Sequence, residues 1–281
     1  MVQNFIHDKW GTIIELSNPD EFFNWPAEYW RTMIYERKLI VFKRMNFSKL
    51  SYAKFCSTFG RMWQTLEYRG SKERAEIVKD GDIVYAISPM SNLSAPRIGQ
   101  KEMPWHADIP NNDHPFPMRT IWMYKNPDPE SGLTSWLNIE DGFDILPDDL
   151  KSRAEKIKII QQSWWMPGTR IKEFDFIKTH SVTGRKSLRL NYYCEPDKNI
   201  HDGWIKNAVV DGVTFEPREV LTPYYDFLTT KKELLYTHKW DTFDIIVYDN
   251  WPFVHNRTHL NFDNKLERLL YRTNIDHILP Q

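Results

Sequence analysis

From Asp82 onward the chain is cut into short strand-like segments: Asp82 to Ile87, Arg119 to Tyr124, Thr134 to Leu137, Lys158 to Gln162, Ser187 to Tyr193, Ile245 to Tyr248 and Leu266 to Ile275. Proline, glycine, asparagine or aspartate stands between most of them. Many short strands with long connections fit an antiparallel sandwich or jelly roll, not a parallel sheet in which each strand is followed by a helix. Helix-like apolar spacing marks the N-terminal third, with Phe22, Phe23, Trp30, Met33 and Ile34 over residues 20 to 38 and Tyr52, Phe55 and Phe59 over residues 48 to 60. Between these helices the apolar run Leu39-Ile-Val-Phe42 reads as a buried strand. Downstream, Asp144 to Lys156, opened by Leu146-Pro-Asp, is the one helix expected, and the charges from Lys151 to Lys158 read as its solvated face. The fold class expected is mainly β with flanking helices.

At 281 residues, with no internal repeat, low-complexity tract or Gly/Ser linker, the chain is expected to form one domain over residues 1–281. A hydrophobic share of 41% against 27% charged supports a sizeable core. The aromatic share of 15% is high enough that aromatic side chains must fill a wide interior or line a pocket for an organic ligand. A net charge of -1 without a run of Lys or Arg argues against nucleic acid and anionic membrane as partners. Cys56 and Cys194 are too few for a disulfide framework and lack metal-site spacing, so both are expected as buried free thiols. No apolar run approaches the roughly 20 residues that span a bilayer, which makes the cytoplasm the default compartment. Nothing in the sequence fixes the oligomeric state, and a homo-oligomer is allowed.

The segment Pro104-Trp-His-Ala-Asp-Ile109 is the most informative for chemistry. In an extended strand His106 and Asp108 project from the same face, so an imidazole and a carboxylate can converge on one ion. A third ligand has to come from elsewhere, and His255 offers itself just after the strand-like Phe243 to Tyr248, at the end of a buried strand. His255 and His259 could instead bind zinc at helical spacing. No Glu follows His255, however, and Asn256-Arg-Thr258 is a poor helix former. Further on, Arg268 and Arg272 lie an even number of residues apart on a strand, so both guanidinium groups share one face while Leu269 and Tyr271 take the other. Inward-facing arginines call for anions, and a dicarboxylate suits their donor forks; core Asp or Glu residues would serve as well.

Several motifs in the same order resemble the taurine dioxygenase (TauD/TfdA) family of Fe(II)- and 2-oxoglutarate-dependent oxygenases. Leu39 to Phe42 and Phe59-Gly60 look like its opening strand and helix end, and Trp105-His106-Ala-Asp108 like its metal motif. Gly132-Leu-Thr134-Ser-Trp136 resembles its Gly-x-Thr-x-Trp strand, and Thr179-His180-Ser-Val-Thr-Gly184-Arg185 its turn before a core strand. Asp249-Asn250 sits where the family has a Trp-Asp-Asn-Arg run. Ser181 stands where proline is common and Trp251 where arginine is common, and the interval from His255 to Arg268 is about two residues long for the family.

The resemblance implies a double-stranded β-helix, the cupin-like jelly roll, with Fe(II) held by His106, Asp108 and His255 at its open end. It implies 2-oxoglutarate as co-substrate, with its distal carboxylate on Arg268 and Thr134, and O2 and a small, anionic organic molecule as further reactants. Arg272 would serve either that substrate or the proximal carboxylate of 2-oxoglutarate. The resemblance puts His180 in a surface turn, away from the metal. Tyr68, Tyr85, Ser88, Trp105, Trp164 and Trp165 are candidates for the substrate pocket by their nearness to the motifs. The alternative from another class is a non-enzymatic jelly roll that binds an anionic metabolite through Arg268 and Arg272.

Overall fold

Leu39–Lys43 and Ile245–Asp249 are apolar at nearly every position because both of their faces are covered. In the computed structural model, which describes residues 1–62, 76–93, 102–108, 118–163, 170–191, 204–263 and 265–276, these two strands pair at the centre of an eight-stranded sheet. In chain order the strands are β1 (Val2–Phe5), β2 (Thr12–Glu15), β3 (Leu39–Lys43), β4 (Glu76–Asp80), β5 (Ile83–Ser91) and β6 (Met103–His106). Next come β7 (Met118–Lys125), β8 (Thr134–Asn138), β9 (Ile157–Ser163), β10 (Arg170–Asp175), β11 (Ile177–Thr179) and β12 (Lys186–Leu188). The last are β13 (Trp204–Val210), β14 (Val213–Phe215), β15 (Leu235–His238), β16 (Ile245–Asp249), β17 (Phe253–Arg257) and β18 (Leu269–Ile275). The large sheet runs β1-β2-β3-β16-β7-β18-β5-β4, and a four-stranded sheet β15-β8-β17-β6 lies across from it. The pairings are antiparallel except β2 with β3, the arrangement of a jelly-roll core.

The period of two along each strand assigns its side chains to layers. Leu39 and Val41 of β3, Ile246 and Tyr248 of β16 and Met123 of β7 meet Trp136 of β8 and Phe253 of β17 between the sheets. Their neighbours Ile40, Phe42, Ile245, Val247 and Trp122 face the other way. There they pack under α1 (Ala27–Arg37) and α2 (Lys49–Phe59), which contribute Trp30, Ile34, Tyr52, Phe55 and Phe59. The expected helix over residues 20 to 38 is divided: Pro19–Asn24 form a 3-10 turn, and Pro26 precedes α1 because the residue before it is pushed to extended backbone.

A third apolar cluster covers the outer face of the small sheet, where Leu137 and Val254 meet β9, β13 and three helices. The expected helix over Asp144 to Lys156 is two short ones, α3 (Ile139–Asp144), capped by the Asn138 side chain, and α4 (Asp148–Ala154), with Ile145 to Pro147 between them. Strand β9 takes the rest of the charged stretch. The strand expected over Ser187 to Tyr193 is shorter, ending at Leu188. Helix α5 (Pro217–Thr229) was not expected from the sequence, and Pro223 stands inside it. Its Val220, Leu221, Tyr224 and Leu228 form a buried helical stripe, so packing overrides propensity there.

Candidate active site

His106 closes β6 and His255 is the middle residue of β17, and the two are register partners across that strand pair. His255 therefore does not end the strand before it, as expected from the sequence; it belongs to a separate strand, in which Phe253, His255 and Arg257 point inward while Val254 packs outward. The two imidazole rings lie with centroids 4.2 Å apart. Asp108 follows two residues after His106, and one ligand atom from each of the three lies within 4.8 Å of the others.

Each side chain is oriented by a specific partner. Nδ1 of His106 lies 2.7 Å from the Pro104 carbonyl, which can only accept, so Nδ1 carries the proton and Nε2 keeps its lone pair. Oδ2 of Asp108 accepts from the Tyr248 hydroxyl at 2.9 Å, pairs with the Arg119 guanidinium and lies 3.6 Å from Nε2 of His255. Asn250 clasps the Asp108 backbone from both sides: its amide donates to the Asp108 carbonyl at 2.9 Å and accepts from the Asp108 N–H at 3.4 Å. Asp249, next in the chain, accepts from Nε2 of His180 at 2.7 Å and from the Trp251 N–H at 2.9 Å.

His180, expected in a surface turn, is buried. Its Nδ1 accepts the N–H groups of Val182 and Thr183, which leaves the Nε2 proton for Asp249. It is no member of the cluster, as expected. His259 is exposed and bonds Asn261, away from His255.

Burial disfavours charge on both imidazoles. It brings His255 down to about 3, with the neighbouring His106 as the second cause, and it lowers His106 as well. Burial by itself would raise Asp108, but Arg119, then His255 and His106, outweigh it and hold the carboxyl below the usual carboxylate range. Two neutral imidazoles and one carboxylate form an N2O donor set on one side of an ion, the pattern that suits non-haem Fe(II). Nδ1 of His255 is buried without a hydrogen-bond partner. These groups fit a divalent iron.

The cluster opens into a cavity of about 110 Å3 that four arginines line, Arg119, Arg257, Arg268 and Arg272, with Asp108 as the one carboxylate among the described lining residues. The guanidinium of Arg268 is 5% exposed and its Nε has no partner; its bond is a long one, 3.4 Å, to the Gly132 carbonyl. Burial, then Arg257, lowers Arg268 to about 9. Leu270 lines the cavity beside Arg268 and Arg272, while Leu269 and Tyr271 pack on the opposite cluster, so the two faces of β18 divide as expected. Arg272 acts electrostatically on both Asp108 and His255, which places it nearer the cluster than Arg268.

Thr134 also lines the cavity, and its hydroxyl oxygen accepts the Trp240 indole N–H at 2.9 Å, leaving its own proton to donate. Gly132 has φ +64, and a Cβ there would meet Leu260 at 2.2 Å, so the turn that presents its carbonyl to Arg268 needs glycine.

Arg119, Tyr248 and Arg257 were missed in the sequence, and Asn250 was noted only as part of the Asp249-Asn250 family motif, without a role. Of the three, Arg257 had a legible signal, since it lies two residues from His255 and shares its face. Of the expected pocket residues, Tyr85 and Trp105 pack against apolar clusters and Ser88 pairs with Arg272 in register, and none of the three lines the cavity. Tyr68, Trp164, Trp165 and Cys194 lie outside the described residues; Cys56 is a buried free thiol, as expected.

A family model described as taurine catabolism dioxygenase TauD, TfdA family matches residues 6–274. The chain belongs to the TauD/TfdA family. Comparison with curated proteins gave no match. Among solved structures, AAD-2 in complex with Mn(II) and N-oxalylglycine is similar at a TM-score of 0.69 and 17% identity, over 99% of this chain and 98% of that one. A taurine dioxygenase from Burkholderia xenovorans is similar at a TM-score of 0.67 and 18% identity, over 98% of this chain and 90% of the other. As a TauD/TfdA protein the chain is an oxidoreductase, a dioxygenase that depends on Fe(II) and 2-oxoglutarate and acts with O2 on a small molecule. Among the described residues no helix is long and apolar enough to cross a membrane.

Proposed function

We propose that this TauD/TfdA dioxygenase hydroxylates a small anionic organic substrate, with Fe(II) bound by His106, Asp108 and His255 and 2-oxoglutarate held by Arg268 and Thr134. The observation that carries the reading is the buried Arg268 guanidinium, without a carboxylate partner among the described residues, in the same cavity as the His-Asp-His cluster. A buried cation of this kind is stable only with an anion, and 2-oxoglutarate supplies one while its other end reaches the ligand set.

Bound iron would supply the activation of O2 that couples decarboxylation of 2-oxoglutarate, to succinate and CO2, with insertion of one oxygen atom into a substrate C–H bond. The chain's own part is to position and to protect. Thr134 donates its hydroxyl proton to the distal carboxylate beside Arg268. Tyr248 and Arg119 hold Oδ2 of Asp108 and so fix the rotation of the carboxylate. Met103, Ile121, Leu260 and Leu270 provide apolar walls that keep water from the reacting centre. Arg272, close to the cluster, serves the anion nearest the metal, whether the proximal carboxylate of 2-oxoglutarate or a group of the substrate. Titrating each ligand against Arg272→Ala separates these two roles by which apparent KM rises.

The test is a panel of small acids scored by succinate formation with Fe(II), run on the native chain and on His106→Ala, Asp108→Ala and His255→Ala. Each variant is expected to keep its fold and to lose substrate-stimulated succinate release. Near-native turnover in any one of them would remove that residue from the ligand set.

A further inference from the structure

Thr134 of β8 has His238 of β15 as its register partner, and Trp240 follows two residues after His238. All three side chains are buried. The indole N–H of Trp240 donates to Oγ1 of Thr134 at 2.9 Å. An indole nitrogen can only donate, so this bond has one direction and Thr134 is its acceptor. The Thr134 proton is then left for another group, and among the described residues no acceptor meets it. Burial alone does not explain the bond, since the same protein leaves the buried indole nitrogens of Trp122, Trp136 and Trp251 without a partner.

Trp240 is fixed from behind by groups that do not line the cavity. The Asn126 amide donates to the Trp240 carbonyl at 2.7 Å, and the His238 ring meets the indole edge-on, with centroids 4.7 Å apart at 86°. His238 is held at both nitrogens. Its Nε2 donates to Oδ2 of Asp244 at 3.0 Å, because a carboxylate can only accept, and its Nδ1 accepts from the Tyr236 hydroxyl at 2.8 Å. Asp244, fully buried, accepts in addition from Nζ of Lys43 at 2.5 Å and from the N–H groups of Asp241 and Arg44 at 3.1 and 3.2 Å.

A threonine hydroxyl left to itself offers one proton and two lone pairs, and so serves a carboxylate or an amide alike. With one lone pair taken by Trp240, the proton is turned toward the cavity, and donation into the oxygen strengthens the hydroxyl as a donor in its turn. Arg268 lines the same cavity, its Nε has no partner, and its guanidinium reaches the carbonyl of Gly132, two residues before Thr134. The end of the cavity at Thr134 and Arg268 thus offers hydrogen-bond donors, which two carboxylate oxygens satisfy and an amide NH2 does not.

We infer that Trp240 is a positioning residue: it sets the direction of the Thr134 hydroxyl and so makes the distal end of the co-substrate site select a carboxylate over the amide of the same shape. Arg268 supplies the charge there, and the Trp240–Thr134 pair supplies the direction. The inference rests on the reading in which Thr134 and Arg268 hold 2-oxoglutarate, and the test keeps the two apart.

N-oxalylglycine and its distal primary amide are titrated calorimetrically into the chain loaded with Mn(II). Trp240→Phe keeps an aromatic ring but loses the donor. It is expected to weaken the acid about fivefold, the worth of one neutral hydrogen bond, and the amide less than about twofold, so the ratio of the two affinities falls. In a Thr134→Val background the same substitution should change neither ligand by more than about twofold, because the group it acts through is gone. A ring that only fills space would shift acid and amide together, in either background. The bond itself is read without ligand: the indole proton resonance of Trp240 should move upfield in Thr134→Val. If Trp240→Phe fails to fold by circular dichroism, benzothienylalanine placed at this position, with sulfur where indole has N–H, carries the same comparison. The inference is overturned if folded variants keep the native ratio of acid to amide, if the loss is undiminished without the Thr134 hydroxyl, or if the indole resonance does not move. Failure of the native chain to bind N-oxalylglycine with Mn(II) would remove the co-substrate reading and this inference with it, whereas an unchanged ratio in a chain that does bind it removes the role of Trp240 alone.

Discussion

Arg268 shows what one buried side chain can be asked to do. Its guanidinium is enclosed, its Nε has no partner, and Arg257 adds like charge, so an anion in the cavity relieves an arrangement that is otherwise unfavourable. Arg268→Leu is expected to weaken 2-oxoglutarate binding by about 3–5 kcal/mol, roughly a hundred- to several-thousand-fold, with metal affinity unchanged. Arg268→Lys should restore part of the loss, because an ammonium cannot reproduce the fork. Equal loss of metal and co-substrate in a dialysis experiment would contradict this. The two histidines lead to a second expectation. Both imidazoles are held below their usual range and Asp108 is ionised, so at pH 7.5 all three are already in the ligating form. Uptake of Mn(II), followed by calorimetry in buffers of different ionisation enthalpy, should therefore release close to no protons, and release of a full proton per ion would show a charged histidine in the free site.

At the scale of elements, β16 and the turn that joins it to β17 hold Asp108 in place. Tyr248 reaches the carboxylate, Asn250 the backbone on both sides, and Asp249 is itself fixed by His180, the Trp251 N–H and its own N–H donating to the Lys38 carbonyl. The sequence shows an Asp-Asn pair shortly before a histidine and a distant Thr-His; it does not show that the four groups meet. Asn250→Ala should lower metal affinity about 10- to 100-fold, as loss of a supporting partner does, while leaving the unfolding midpoint within a few degrees. Metal binding measured by competition with a chelator checks it, and native affinity would mean that the strand positions Asp108 without help.

Over the whole molecule, the three apolar clusters make the jelly roll with its helical cover, and the few charged groups enclosed with them set how stability depends on pH. Lys178 is the clearest of these, since burial moves it from 10.5 to about 7. Between those values the folded chain holds a neutral amine and the unfolded chain a charged one. The unfolded state then binds more protons, and stability rises with pH across that window. The slope from this one group is at most about 1.4 kcal/mol per pH unit. Urea unfolding at pH 7.5 and 9.5 should show the native chain gaining stability relative to Lys178→Met as pH rises, and parallel behaviour of the two chains would place Lys178 in contact with water.

The sequence by itself determined what depends on spacing along one strand. His106 with Asp108, and Arg268 with Arg272, share faces because side chains alternate, and β3 and β16 read as buried runs because both of their faces are covered. The order of the family motifs along the chain pointed to the rest of the proposed ligand set, Thr134 and His255 included. Only the tertiary structure decided what depends on separate strands arriving at one point. Arg119, Tyr248 and Asn250 come to Asp108 from β7, β16 and the turn after it, and no local period announces them. Helix α5 likewise forms against its proline signal because Val220, Leu221, Tyr224 and Leu228 are buried together, an energy that exists only once β9 and β13 are there to cover them.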